Sequence, residues 1–110
     1  MARRKPKPPE PAALPPSSPA PLVPNPTTRF ERDVKRMRKR GADMERFRAV
    51  VEVLCSRRPL PAEFRDHALS GAWKGCRDCH VAPDWVLIYE RIENNLILYR
   101  TGTHSDVFES

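Results

Sequence analysis

Between residues 28 and 56 the apolar side chains recur with helical spacing. Phe30, Val34 and Met37 stand at i, i+4 and i+7, with Arg32, Lys35, Arg36 and Lys39 between them, a pattern that predicts an amphipathic helix. Thr28-Arg29-Phe30-Glu31 has the S/T-x-x-E form of a capping box, so the helix is expected to open at Thr28, and Gly41 is a natural stop. Asp43 is expected to cap a second helix. Its apolar face is Met44, Phe47, Val51 and Leu54 with Val50 beside it, and Pro59 and Pro61 end it, which makes a short helical hairpin. After Pro61 the period falls to about 2, the spacing of strands. Trp73–Val81, Asp84–Ile92 and Leu96–Thr101 read as three strands joined at Pro83 and at Asn94-Asn95. Leu60–His67 is expected to add a short strand. Val23–Thr27 reads as an edge strand, because Pro24 and Pro26 lie two apart and would turn their missing N–H groups to one unpaired side. The sum is an α+β domain, two N-terminal helices packed on one face of a small, mostly antiparallel sheet.

Upstream the pattern stops. Ten of the 13 prolines lie in the first 26 residues, where Leu14, Leu22 and Val23 are the only sizeable apolar side chains after Met1. Such a segment cannot offset its own ordering entropy, so residues 1–22 are expected to be a disordered, basic, proline-rich arm, and residues 23–110 the folded domain. None of the first 26 residues is expected to contribute to a core. The net charge of +6 is concentrated on the arm and on Arg29–Arg40, where seven basic residues face Glu31 and Asp33; everything after Arg40 is slightly acidic. A basic helix on a near-neutral domain suggests a phosphate-rich surface as partner, since clustered Lys and Arg release counterions from nucleic acid. No window reaches the 18 or so apolar residues of a membrane span, and prolines occupy the place of an export signal's apolar core, so a cytoplasmic protein without membrane contact is expected. Three cysteines fit free thiols in a reducing compartment.

Cys76-Arg77-Asp78-Cys79-His80 matches C-x-x-C-H, the attachment motif of c-type haem. On a strand, however, Cys76 and His80 face one way and Cys79 the other, and no second paired ligand set exists, so neither haem, zinc nor any other cofactor is expected. The three histidines carry more. His67, His80 and His104 all fall in the last 44 residues, each at a strand end or beside a turn, and Asp84 is a hairpin's width from His80. Imidazoles with a carboxylate are the usual means of moving protons near pH 7 without a metal. Trp73, Tyr89 and Tyr99 read as core, and Trp85, next to Asp84 at a strand mouth, as a platform on which an RNA base stacks. Phe108 is either a plug over the core or an aromatic wall of the site.

The run from Arg65-Asp66-His67 through Trp73-Lys74-Gly75-Cys76-Arg77-Asp78-Cys79-His80 to Asp84-Trp85-Val86-Leu87-Ile88-Tyr89, with Arg100-Thr101-Gly102-Thr103-His104-Ser105-Asp106-Val107-Phe108, resembles the YafQ branch of the RelE-superfamily toxins. The resemblance covers roughly Val23 to Phe108. It implies a RelE-like fold and a ribosome-dependent endonuclease of a bacterial toxin–antitoxin pair, which cuts mRNA in the ribosomal A site without a metal. It further implies His67, His80, Asp84 and His104 as the catalytic set; within it the reading favours His104 as acid to the leaving 5′-oxygen and His67 or His80 as base, with Asp84 orienting. Trp85, Arg100 and Phe108 fall at positions that shape the site or hold substrate, and Lys74, Arg77 and Arg100 are expected to neutralise phosphate. The implied partners are the 70S ribosome with its mRNA and a cognate antitoxin of the ribbon-helix-helix type, through which the complex would bind operator DNA. The alternative is a non-catalytic protein of the same fold that binds ribosome or antitoxin. The family does not need the proline-rich arm, which suggests a natural translation start near Leu22 or Val23.

Overall fold

The structure is a computed structural model and describes residues 20–108; the expected arm up to residue 19 lies outside them. The chain runs β1 (Val23–Pro26), α1 (Thr28–Lys39), α2 (Met44–Cys55), β2 (His67–Ala68), β3 (Arg77–Ala82), β4 (Trp85–Ile92), β5 (Asn95–Gly102) and α3 (His104–Phe108), with 3-10 turns at Ala62–Phe64 and Gly71–Trp73. The strands form one sheet in the order β1-β5-β4-β3-β2. Only the β1–β5 pairing is parallel. The α+β arrangement expected from the periodicities is the one observed.

Helix α1 is capped one residue earlier than its capping-box pattern suggests. Thr27, extended at φ −79° and ψ 164°, accepts from the Phe30 N–H through its hydroxyl at 3.0 Å. Asp43 caps α2 as expected, accepting from Arg46 N at 3.1 Å. That helix ends at Cys55, well before Pro59, where Arg57 enters the left-handed region at φ 66°. The two helices cover one face of the sheet: Phe30, Met37, Phe47 and Leu54 pack on Cys79, Leu87, Tyr89 and Leu96. A smaller cluster of Cys76, Val86, Ile88 and Val107 covers the other face beneath α3. Because both faces are covered, β4 is buried from Trp85 to Tyr89 and lacks the alternation of a half-solvated strand.

Three expectations change. The short strand expected over Leu60–His67 is instead a 3-10 turn at Ala62–Phe64, and only His67–Ala68 pairs as β2. Leu22 is only 3 % exposed and belongs to the core, so the proline-rich region does contribute to it. Leu22 N donates to Cys55 O at 2.7 Å and Arg57 Nε to Ala20 O at 2.8 Å, which ties this segment to the end of α2. The strand expected from Trp73 begins only at Arg77, because Gly71 at φ 67° and Gly75 at φ 95° hold the chain in turns before it. β1 pairs at the sheet edge as expected: Val23 N and Thr27 N donate towards β5, so Pro24 and Pro26 face outward.

Candidate active site

The sheet order brings three strand ends and α3 to one place. His67 on β2 pairs with Asp78 on β3, and His80, two residues on, points to the same side of that strand as Asp78. A bulge between His80 and Ala82 then bends β3 into the turn that holds Asp84. Gly102 pairs with Val86 at the start of β4, which sets His104, the first residue of α3, beside that turn.

Asp84 Oδ1 accepts from the His104 backbone N–H at 3.1 Å and lies 2.7 Å from His104 Nδ1. A carboxylate only accepts, so Nδ1 carries the hydrogen and Nε2 is left to face outward. The His104 hydrogen bond holds the Asp84 carboxyl below its usual range. His80 meets His104 edge on, with ring centroids 5.2 Å apart, and Phe108 flanks His104 at 6.0 Å. Burial, helped by the charge of His104, depresses the His80 pKa and favours its neutral form. His67 Nδ1 lies 2.7 Å from Arg65 O, which likewise puts the hydrogen on Nδ1; Nε2 faces Asp78 Oδ2 at 3.8 Å. His80, Asp84, His104 and Phe108 are thus gathered together, with His67 alongside.

The other expected residues lie elsewhere. Trp85 does open β4, but its side chain turns into the core: it is 5 % exposed, stacked on Phe47 with centroids 5.4 Å apart, and its indole N–H donates to Thr101 Oγ1 at 2.9 Å. Its faces are covered by core, so it offers no platform to a base. Arg100 is 7 % exposed and bound to Asp33 of α1, with Nε to Oδ2 at 2.7 Å, and also donates to Asp106 O at 3.2 Å. Arg77 donates to Asp66 Oδ1 at 3.1 Å, an oxygen that Tyr89 OH also reaches at 2.6 Å. The pleat sends it to the face of β3 away from Asp78 and His80. Lys74 is exposed at the end of the Gly71–Trp73 turn.

Two residues enter the site that sequence reasoning missed. Asp78 is 3 % exposed, its Oδ1 has no hydrogen-bond partner, and burial pushes its carboxyl up to about 6 against the opposing charges of His67 and His104. Its i, i+2 relation to His80 was a usable signal, since alternate strand residues share a face. Arg65, whose carbonyl holds His67, has no comparable signature. As for the C-x-x-C-H run, Cys79 packs under the helices and Cys76 on the opposite face, so the two thiols diverge. Burial also raises the Cys79 thiol far above its usual value, which disfavours the thiolate a metal or haem linkage needs. Among the described residues no group of three or more His, Cys, Asp or Glu side chains is disposed to hold a metal ion. No helix among them is long and apolar enough to cross a membrane.

Comparison with known proteins shows the family. The family model described as "Bacterial toxin of type II toxin-antitoxin system, YafQ" matches residues 22–109. The mRNA interferase toxin YafQ of Escherichia coli K12 is 45% identical over 80 residues, covering 72% of this chain and 87% of the relative. Among solved structures, the E. coli DinJ-YafQ toxin-antitoxin complex superposes with a TM-score of 0.74 at 41% identity, over 79% of this chain and 97% of that one. A metal-bound toxin from Helicobacter pylori gives 0.75 at 37% identity, over 79% and 99%. With a family model spanning most of its length and this degree of identity, the chain belongs to the YafQ family of type II toxin–antitoxin toxins.

Proposed function

We propose that the protein is an mRNA interferase, a ribosome-dependent endonuclease that cuts messenger RNA in the A site by metal-independent acid–base catalysis. The observation that carries this reading is the facing of two imidazoles, His80 and His104, 5.2 Å apart by ring centroid, one of them oriented by Asp84. The names of the E. coli relatives support the same activity. RNA supplies its own nucleophile, so the protein has only to move protons. A base takes the 2′-OH proton and the 2′-oxygen attacks the adjacent phosphorus. The bond to the 5′-oxygen breaks, an acid gives that oxygen a proton, and a 2′,3′-cyclic phosphate and a 5′-OH remain. His80, its neutral form favoured by burial, is suited to be the base, and His104, its Nδ1–H bound to the Asp84 carboxylate, to be the acid. His67, with Nε2 unprotonated when neutral, stands beside them as a second acceptor.

The basic outer face of α1 is suited to ribosomal RNA, and the ribosome would position the message. A cognate antitoxin of the ribbon-helix-helix type is the proposed partner, by analogy with the DinJ-YafQ complex, and would carry the pair to operator DNA. The setting is the bacterial cytoplasm.

Induced expression of the wild-type chain and of His104→Ala, with primer-extension mapping of a reporter message, tests the reading. Codon-phased cuts from the wild type and none from the variant are expected. Soluble protein that cuts in neither case would leave a non-catalytic binder of the ribosome or antitoxin. Cleavage that survives a chelator selective for transition metals is the expected sign of metal independence.

A further inference from the structure

A cleft of about 540 Å³ opens beside His80, between α2, the Ala62–Phe64 turn and the β3–β4 turn, lined by Arg46, Glu63, Arg65, His80, Ala82 and Pro83. His104 meets the His80 ring but does not line this cleft, so the cleft reaches the imidazole from a second side. Its volume falls in the range of small-ligand sites, roughly 300–1,000 Å³. Its chemistry is not that of an apolar ligand site, because two guanidinium groups and one carboxylate dominate the wall.

Both arginines are held by the fold. Arg46 Nε donates to the Val81 carbonyl, and its guanidinium lies over the Phe64 ring at 5.1 Å from the centroid. Arg65 is in the left-handed region at φ 49°, an uncommon conformation for a long side chain. The same residue holds His67 through its carbonyl and contributes its charge to the environment of His80. An unfavourable backbone conformation at a residue that holds one imidazole and shares a cleft with another is a feature of functional sites.

We propose that this cleft is the subsite for one phosphodiester of the RNA strand, adjoining the one that is cut, with Arg65 and Arg46 as its ligands. The proposal rests on the endonuclease reading and adds to it where the message lies. Guanidinium forks suit phosphate oxygens, and two of them against Glu63 leave one net positive charge, the match for one phosphodiester. Glu63 repels a second phosphate and limits the subsite to a single nucleotide. His80 at the junction then faces the scissile linkage on one side and the anchored nucleotide on the other.

The test uses the full chain carrying His104→Ala, titrated with a 2′-O-methyl RNA trinucleotide by fluorescence anisotropy over a range of salt. Arg65→Gly removes the guanidinium while glycine takes the left-handed conformation readily, so the carbonyl that holds His67 keeps its place. It is expected to weaken binding at least fivefold and to flatten the salt dependence by about 0.7 in log–log slope, the value for one phosphate of a single strand. Arg65→Lys should restore most of the affinity, and Glu63→Gln should tighten binding two- to threefold. Unchanged affinity and slope in Arg65→Gly overturn the subsite, as does a loss of antitoxin binding with RNA binding intact, which would give the cleft to an acidic protein segment. Failure of the endonuclease reading is read separately, as absence of cleavage by the wild type, and leaves this titration able to decide.

Discussion

Asp33 of α1 and Arg100 of β5 form an ion pair across 67 residues of sequence, with Nε–Oδ2 at 2.7 Å and Nη2–Oδ1 at 3.3 Å and both side chains almost wholly buried. Asp33 also accepts from the Thr101 backbone N–H at 3.1 Å and from Arg36 at 2.6 Å. The basic helix is thereby fastened to the strand that leads into α3 and His104. Removing one partner of such a pair leaves a buried charge uncompensated, at a cost of about 3–5 kcal/mol. Arg100→Ala and Asp33→Ala should each lose stability on that scale in urea unfolding. Near-wild-type stability of Arg100→Ala, together with weakened RNA binding, would return Arg100 to the substrate-holding role its sequence position suggests.

The first turn of α3 has its own clamp. Asp106 Oδ2 accepts from Thr103 N at 2.9 Å, Asp106 N donates to Thr103 Oγ1 at 3.1 Å, and Arg40, the C-cap of α1, donates to the Asp106 carboxylate at 2.7 Å. A Cβ at Gly102, where φ is 152°, would come within 2.9 Å of Asp106. Gly102→Ala is therefore expected to displace α3 and reduce cleavage tenfold or more. Thr103→Ala should cost about 1 kcal/mol through the lost cap. Comparing the His104 NMR signals of the two variants checks this: an unmoved His104 in Gly102→Ala would contradict it.

Asp78 makes a statement about pH. Its carboxyl titrates at about 6 in the folded chain against 3.8 as its ordinary value, because burial disfavours the charged form. A raised carboxyl pKa means that folding takes up a proton. The favourable contribution is complete below pH 3.8 and is lost as pH rises through 6. Asp78→Asn stays neutral throughout, so its stability relative to wild type should rise between pH 4 and pH 7.5, by at most about 3 kcal/mol. Equal differences at the two pH values would show that Asp78 is not protonated on folding.

His80 sets the acid limb of the proposed reaction. A base must be neutral, and the His80 pKa is depressed below its ordinary 6.5 by burial and by the charge of His104. The acid limb of single-turnover cleavage should therefore be centred below pH 6.5. A limb centred above 6.5 would point to another base.

Trp85 and Phe47 stack with an interplanar angle of 4° beneath the helices. Trp85→Ala is expected to lose about 3–5 kcal/mol of stability, as for other buried aromatic truncations. Trp85→Phe, which keeps a ring in place, should bind the trinucleotide as the parent does. A loss of RNA affinity in a stable Trp85→Phe would reopen the base-stacking role.

What could be read in the sequence was what depends on near neighbours. The stripe Phe30, Val34, Met37 and the Asp43 cap fixed both helices, and strand alternation foretold the divergence of Cys76 and Cys79. The nearness of His80 and Asp84 followed from the length of one hairpin, whereas His104 joined them only through the family resemblance. The cap at Thr27 was missed because adjacent threonines offer the same hydroxyl, and backbone conformation chooses between them. Leu22 was missed because a lone leucine among prolines has no period, and only its bond to Cys55 reveals that it is packed. Arg100 looked available because nothing local announces that Asp33 is its partner. The loss of hydration at Asp78 likewise depends on its burial in the assembled sheet, which no neighbouring residue announces.

The outward-facing prolines of β1 bear on how the protein behaves at high concentration. Pro24 and Pro26 leave this rim of the sheet with carbonyls but without N–H donors in the strand itself, so an incoming strand finds half a ladder. The opposite rim, β2, is only two residues long. Among the described residues both borders are thus poor templates for a second molecule to extend the sheet, and the fold gains a measure of protection against stacking into fibrils.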